Sequence, residues 1–306
     1  MSVFKNRHGE LRSGWTLLIG CVFLHGASMF IGNLASPFIE SLPYMIIMLI
    51  LYLIEAFCLV AGSILLFWML FRRKSSDMGF TKSGQLSQLG IGLLYGAGAI
   101  VSVFLILLLS GQMEIVAVNP SALLSGDFWI WFVVFAVMAA AEEAIYRSFM
   151  MSAAKTSRSK LLIFLMPQLF FSYAHLGNDS VTFLALANIA LVGVWFAIIF
   201  WRSGSFWVAY GTHFAWNFFQ GNILGMNVSG FETASLISSR FTGADLLTGG
   251  AFGSEGGIIA TLVLVLASAL AFFVLRKPAP DGWTIDGGLP SVDSPASASL
   301  SNKLKK

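Results

Sequence analysis

The sequence predicts an all-α fold: a polytopic membrane protein of about eight transmembrane helices. Of its 306 residues, 57% are hydrophobic and 11% are charged, and the mean hydropathy is +0.81, far outside the range of soluble globular domains. A helix needs about 20 mainly apolar residues to cross a bilayer, because the hydrocarbon layer is about 30 Å thick and each residue rises about 1.5 Å. About eight stretches meet or approach that length.

The predicted spans are distributed along most of the chain. The first follows Lys5, Arg7 and Arg12, as the core of a signal peptide would, but its apolar run is longer than the roughly 7 to 15 residues of such a core. We therefore expect a permanent helix there. The fifth span is the shortest. In chain order the spans are 14–34, 44–71, 89–109, 128–150, 161–176, 181–201, 206–224 and 257–275.

Basic residues predict the orientation, because Lys and Arg collect in cytoplasmic loops. They alternate between the two sides of the predicted spans, and only Arg240 lies on the other side. We therefore expect both termini in the cytoplasm, and we attribute the net charge of +3 to orientation and not to nucleic acid. The membrane is expected to be a bacterial inner (plasma) membrane, with an organelle membrane as the alternative. The cytoplasmic set is Lys5, Arg7, Arg12, Arg72, Arg73, Lys74, Lys82, Lys155, Arg158, Lys160, Arg202, Arg276, Lys277, Lys303, Lys305 and Lys306.

The domain organisation is simple. Residues 1–276 are predicted to form one polytopic membrane domain, and residues 277–306, rich in Pro, Ser and Ala, a disordered cytoplasmic tail. The glycine-rich stretch 239–257 is typical of an extracytoplasmic loop. Both cysteines, Cys21 and Cys58, fall inside spans, so no disulfide framework is predicted.

Polar residues inside the spans are the candidates for a functional site, since a charge at a helix centre costs about 2.5 to 3.5 kcal/mol on insertion scales. Three of them lack a polar partner at helical spacing, namely His25, Glu55 and Asn188. For these three we expect a structural role, such as a hydrogen bond to another helix, although they could line the same cavity as the others. The others are Glu142, Glu143, Arg147, His175, His213 and Asn217.

The fourth span carries three charges within one and a half turns. Glu143 and Arg147 are four residues apart and share a helix face, where they can pair. Glu142 is turned away by about 100° and has no local partner. The alternative is that all three lie at the cytoplasmic mouth, with the Arg147 guanidinium extended into water.

The fifth and seventh spans carry histidines. Phe171 and His175 are stacked on one face, and His175 could equally be an interfacial residue. For His213 and Asn217, one turn apart, a plain hydrogen-bonded pair between helices is the alternative. These two belong to a polar stripe on the seventh span, made of Tyr210, His213, Asn217 and Gln220.

These residues form three ordered motifs on separate spans: E-E-x-x-x-R ending at Arg147, F-x-x-x-H ending at His175, and H-x-x-x-N ending at Asn217. The set resembles the CPBP family of intramembrane proteases, which includes type II CAAX prenyl endopeptidases, bacteriocin-processing proteins and the Abi group. The resemblance covers about residues 128–224. Tyr146 and Ser148 stand where phenylalanine and glycine are common, and neither removes a group that the motif needs.

The resemblance implies an intramembrane endopeptidase that hydrolyses a peptide bond of a membrane-associated peptide or lipidated protein among membrane lipids. Glu142 with His175 would activate water, His213 with Asn217 would stabilise the oxyanion, and Glu143 with Arg147 would support them. Peptide hydrolysis needs an activated water and a donor for the developing negative charge. No cofactor is predicted, although two histidines and two glutamates would suffice as ligands for a divalent metal.

Two rival functions use the same residues. A non-catalytic bacteriocin-immunity or scaffold protein would use the polar core to bind a partner, and a transporter would use it as a proton or ion relay. One point opposes the protease: in straight helices His175 lies about 21 Å along its span, whereas Glu142 lies near the end of its own. Either a break at Pro167 or an extension of the fourth helix past Met150 would bring the two together.

Overall fold

Eight helices of more than ten residues make up most of the computed structural model, which describes residues 12–157, 159–275 and 283–284. Each lies within a few residues of one predicted span. In chain order they are α1 Ser13–Ile39, α2 Tyr44–Phe71, α3 Gln85–Leu109, α4 Gly126–Ala154, α5 Lys160–Ala174, α6 Phe183–Ser203, α7 Phe206–Phe218 and α8 Ile258–Val274. A π-helical turn, Phe219–Ile223, extends α7. Short helical turns occupy Ser75–Met78, Pro120–Leu124, Lys155–Ser157, Asp245–Thr248, Gly250–Phe252 and Ser254–Gly256.

Five of these helices, α1 to α4 and α6, are long and apolar enough to cross a membrane. The helices α5 and α8 are apolar but shorter, with 15 and 17 residues. The helix α7 has 13 residues before its π-helical turn. The fold therefore points to a polytopic integral membrane protein, while eight crossings and the orientation stay predictions. Of the basic residues used for the orientation, several lie outside the described residues: Lys5, Arg7, Arg158, Arg276, Lys277, Lys303, Lys305 and Lys306.

A small antiparallel sheet departs from the predicted all-α class. It pairs β1 Met113–Val118 with β2 Ile237–Phe241, and its register places Glu114 opposite Arg240, whose side chains form an ion pair. The strands are more than a hundred residues apart in sequence and only half-buried to exposed for most of their length. Such a nonlocal pairing leaves little trace in hydrophobic periodicity, which is why the sequence did not predict it.

One tail residue packs against the helices. The predicted disordered tail, 277–306, lies outside the described residues except for Trp283 and Thr284. The backbone N–H of Trp283 donates to the Gly204 carbonyl oxygen at 2.8 Å, and the Lys155 ammonium lies 4.2 Å from the centre of its indole ring. The tail therefore contacts the helical body at this tryptophan.

The helices α3 and α7 pack at backbone distance. A Cβ atom added at Gly92 would overlap the Val208 carbonyl oxygen, and one added at Gly96 would overlap that of Thr212. The two glycines are four residues apart on one face, the small-xxx-small spacing that lets helices in a membrane approach at backbone distance. Because Thr212 precedes His213, this contact also fixes the position of the polar residues on α7.

We predict that Gly96→Ala destabilises the protein, by about 1 to 3 kcal/mol, because the new methyl group overlaps backbone that cannot move without shifting α7. Gly98→Ala is the matched control: it lies on the same helix, and apart from the adjacent backbone of α3 no atom lies within 4 Å of the added Cβ. The measurement is the midpoint of thermal unfolding in detergent for both variants and the wild type. Equal midpoints for all three proteins would contradict the packing argument.

Candidate active site

The centre of the site is a π-helical segment of α4, Glu143–Met150, in which every residue is buried. Glu143 and Arg147 pair there with 2.9 Å between Oε1 and Nη1, and both side chains have 0% exposure. The pairing expected from their spacing is therefore confirmed. The alternative of an Arg147 side chain reaching water is wrong, because α4 continues past Met150 to Ala154 and sinks the charges into the protein.

Arg147 is enclosed by aromatic rings. Its guanidinium carbon lies 4.4 Å from the ring centre of Phe171 and 5.1 Å from that of Phe196, while Nη2 lies 3.5 Å from the Gly193 carbonyl oxygen. Cation–π contacts strengthen when both groups are out of water. The phenylalanine of the F-x-x-x-H motif therefore covers the buried cation.

His213 connects both glutamates to α7. Its Nδ1 lies 2.9 Å from Oε1 of Glu143, and its Nε2 lies 3.4 Å from Oε2 of Glu142. Its ring also stacks on Phe196, with 4.7 Å between centroids. Since a carboxylate only accepts hydrogen bonds, Nδ1 donates to Glu143. The histidine is thus held in a single orientation between the two acidic side chains.

His175 ends α5 with a defined ring orientation. Its Nδ1 lies 2.8 Å from the carbonyl oxygen of Phe171, one turn earlier. A carbonyl oxygen only accepts, so Nδ1 carries the proton, and in the neutral ring Nε2 is then an acceptor. Measured from the turn between α4 and α5, Glu142 and His175 lie about 18 Å and about 22 Å along their helices, at comparable depth. Extension of α4 explains this, since α5 continues unbroken through Pro167.

One cavity of about 220 Å³ brings the predicted residues together. Glu142, His175, His213 and Asn217 all line it, whereas Glu143 and Arg147 lie behind its wall. The Asn217 side chain makes no hydrogen bond to any residue that the structure describes, so its amide is available to a ligand. The remaining lining residues are His25, Tyr52, Glu55, Phe135, Met138, Tyr146, Phe171, Ala174, Asn178, Ile189, Val192, Val228, Ser229, Phe231 and Glu255.

The three unpartnered polar residues of the sequence have partners from other helices. His25 contacts the Tyr146 hydroxyl at 3.1 Å and the Glu55 carboxylate at 3.8 Å, and all three side chains line the cavity. Asn188 donates to the backbone oxygen of Glu255 at 2.7 Å and accepts from Thr261. The expected contacts to other helices are therefore confirmed for all three.

The polar stripe predicted on α7 divides into three parts. Of its four residues, His213 and Asn217 line the cavity. Gln220 is buried and donates to the Asn227 backbone oxygen at 2.6 Å, so it holds a loop. Tyr210 stacks between Phe206 and Phe214, away from the cavity.

The sequence reading missed Glu255 and Ser229. Both lie beyond α7, and Glu255 belongs to the glycine-rich stretch that was expected to be an extracytoplasmic loop. In the structure residues 252–257 are buried against the helices. A lone acidic residue among glycines, shortly before an apolar span, is the only signal in the sequence. No group of three or more His, Cys, Asp and Glu side chains in the described residues has the arrangement of a metal site.

Comparison with known proteins agrees with the motifs. Residues 124–219 match the family model for type II CAAX prenyl endopeptidase Rce1-like proteins, and this region contains Glu142, His175, His213 and Asn217. No curated protein and no solved structure matches the chain. The family match supports an intramembrane protease of the CAAX type in general terms. The resemblance to the CPBP family that the three motifs indicate is therefore confirmed over residues 124–219.

Proposed function

We propose that the chain is an intramembrane endopeptidase that hydrolyses a peptide bond of a membrane-associated peptide or lipidated protein. One observation carries the proposal: an acid, two imidazoles and an amide from three different helices line a single cavity inside an apolar bundle. We further propose a bacterial inner membrane location with both termini cytoplasmic, and a mechanism that needs no metal.

The first step is the activation of a water molecule. The Glu142 side chain is 19% exposed and lines the cavity, and His175, whose Nε2 is the free acceptor of its ring, lines the same cavity. Two acceptors can orient one water, whose oxygen attacks the carbonyl carbon while its proton passes to Glu142. The Glu142 carboxyl and the nearby Nε2 of His213 share that proton.

The second step is the collapse of the tetrahedral intermediate. Its oxyanion accepts a hydrogen bond from the side-chain amide of Asn217, which donates without a change of protonation. His213, expected from the family resemblance to share this role, is proposed instead to act on the proton of Glu142, because its two ring nitrogens face Glu143 and Glu142. The C–N bond then breaks, and the proton held by Glu142 is returned to the leaving amine. Glu143 takes no part in the proton transfer, because its side chain has 0% exposure and does not line the cavity, and its Oε1 contacts both Arg147 and His213.

We predict that Glu142→Gln lowers turnover by about 10²- to 10⁴-fold, because the carboxamide cannot accept the proton of the attacking water. The measurement is cleavage of a pool of membrane peptides by the purified protein, with and without a chelator. Glu114→Gln, on the exposed sheet, is the control for loss of a carboxylate. The proposed protease function would be contradicted if Glu142→Gln cleaves as fast as the wild type, or if the wild type cleaves no peptide. If the wild type cleaves without the chelator but not with it, the reaction depends on a metal.

We predict that Asn217→Ala lowers kcat and kcat/KM equally, by about 10²- to 10³-fold, since the oxyanion bond forms only in the transition state. Asn217→Asp has the same shape but places an acceptor where the oxyanion develops, so its loss should be at least as large. Steady-state kinetics on both variants checks this. A rise in KM at unchanged kcat would instead assign Asn217 to substrate binding.

A further inference from the structure

Glu255 is the most fully hydrogen-bonded carboxylate among the described residues of the cavity wall. It is 3% exposed and lies in the helical turn Ser254–Gly256 before α8. Its Oε1 accepts from the indole N–H of Trp216 at 2.9 Å, and its Oε2 accepts from the backbone N–H and the hydroxyl of Ser229 at 2.8 and 2.7 Å. Three donors thus converge on one side chain.

These donors demand an acceptor-only group. An ionised carboxylate has no hydrogen to oppose them, whereas a carboxamide would turn an N–H towards one of the donors. In the described part of the chain Glu255 forms no ion pair, although burial of an unpaired charge is costly. The desolvation cost of this carboxylate is therefore explained only if the groups that it binds matter to the protein.

Glu255 holds two segments that carry proposed catalytic groups. Trp216 directly precedes Asn217 on α7. The carbonyl oxygen of Ser229 accepts from the Asn178 side chain at 2.9 Å, and Asn178 lies three residues after His175. Ser229 itself has φ of 49°, a left-handed conformation that is unfavourable for serine and needs to be held by its surroundings.

We propose that Glu255 is a positioning residue of the active site. Its carboxylate fixes the turn at Ser229 and the indole of Trp216, and through Asn178 and the backbone of α7 it fixes the places of His175 and Asn217. The catalytic part of this inference rests on the proposed protease function, whereas the positional part concerns the cavity wall alone. Glu255 itself is not assigned a contact with substrate.

The test compares the full-length wild type with Glu255→Gln, Trp216→Phe and the double variant. In Glu255→Gln the carboxamide oxygen can serve Ser229 only if its NH₂ group faces the indole N–H of Trp216. Trp216→Phe removes that N–H, so the double variant can keep the bonds to Ser229. Ser254→Ala is the matched control, since this buried hydroxyl has no hydrogen-bond partner in the described residues.

Two readouts are measured: hydrogen exchange of peptides covering 175–180 and 225–231, and kcat and KM. We expect Glu255→Gln to raise exchange in these two segments and to lower kcat roughly tenfold to a hundredfold with little change in KM, as misplacement of reacting groups does. The double variant should recover part of both losses. Ser254→Ala should match the wild type.

Two results would overturn the proposal. One is unchanged exchange or unchanged kcat in Glu255→Gln. The other is a rise in exchange throughout the protein that the double variant does not reduce, which would make Glu255 a general structural residue. If the wild type cleaves no peptide, the protease function fails. Hydrogen exchange of Glu255→Gln then decides the positional role by itself: a rise confined to 175–180 and 225–231 supports it, and a rise that is not confined to these segments contradicts it.

Discussion

The buried ion pair between Glu143 and Arg147 is the constraint on which the site depends. An arginine with 0% exposure inside an apolar bundle would cost several kcal/mol without partners. Each motif supplies one part of the compensation: Glu143 supplies the countercharge, Phe171 the ring over the guanidinium, and His213 a second bond to Glu143. Three helices are therefore tied to one charge, and the residues beside these contacts, Glu142 and His175, are brought to one cavity.

Close backbone packing converts these contacts into fixed distances. Polar contacts alone would tolerate sliding of α7, since long side chains such as arginine can follow. The glycines of α3 remove that freedom, because the backbone of α7 at Thr212 lies directly against Gly96. Helices inside a membrane associate through close dispersion contacts at small residues, because the hydrophobic effect does not favour their association in lipid. His213 and Asn217 are therefore positioned by packing on one face of α7 and by charge on the other.

The sequence predicts what depends on neighbours along the chain. Apolar runs predicted the helices, and the four-residue spacing predicted the pair of Glu143 and Arg147, because both follow from helix geometry. The sequence did not predict contacts across the bundle: the bridge of His213 to Glu142 and Glu143 joins residues some seventy positions apart. Glu255 was missed for a similar reason, since its three donors come from α7 and from the turn at Ser229, and no periodicity marks them.

The two adjacent glutamates differ in chemistry because of a single step along the helix. A rotation of about 100° separates them. It turns Glu143 into the protein, where Arg147 and His213 occupy Oε1 and leave it no exposed surface. The same rotation turns Glu142 to the cavity. There its Oε2 lies 3.4 Å from Nε2 of His213, a longer contact than the one that Glu143 makes to the same ring. A base has to exchange a proton with a ligand, and a countercharge has to stay ionised and fixed. In the proposed mechanism the doubled glutamate thus provides both from one turn of α4, the countercharge by Glu143 and the base by Glu142, which explains why a membrane helix would carry two charges in succession.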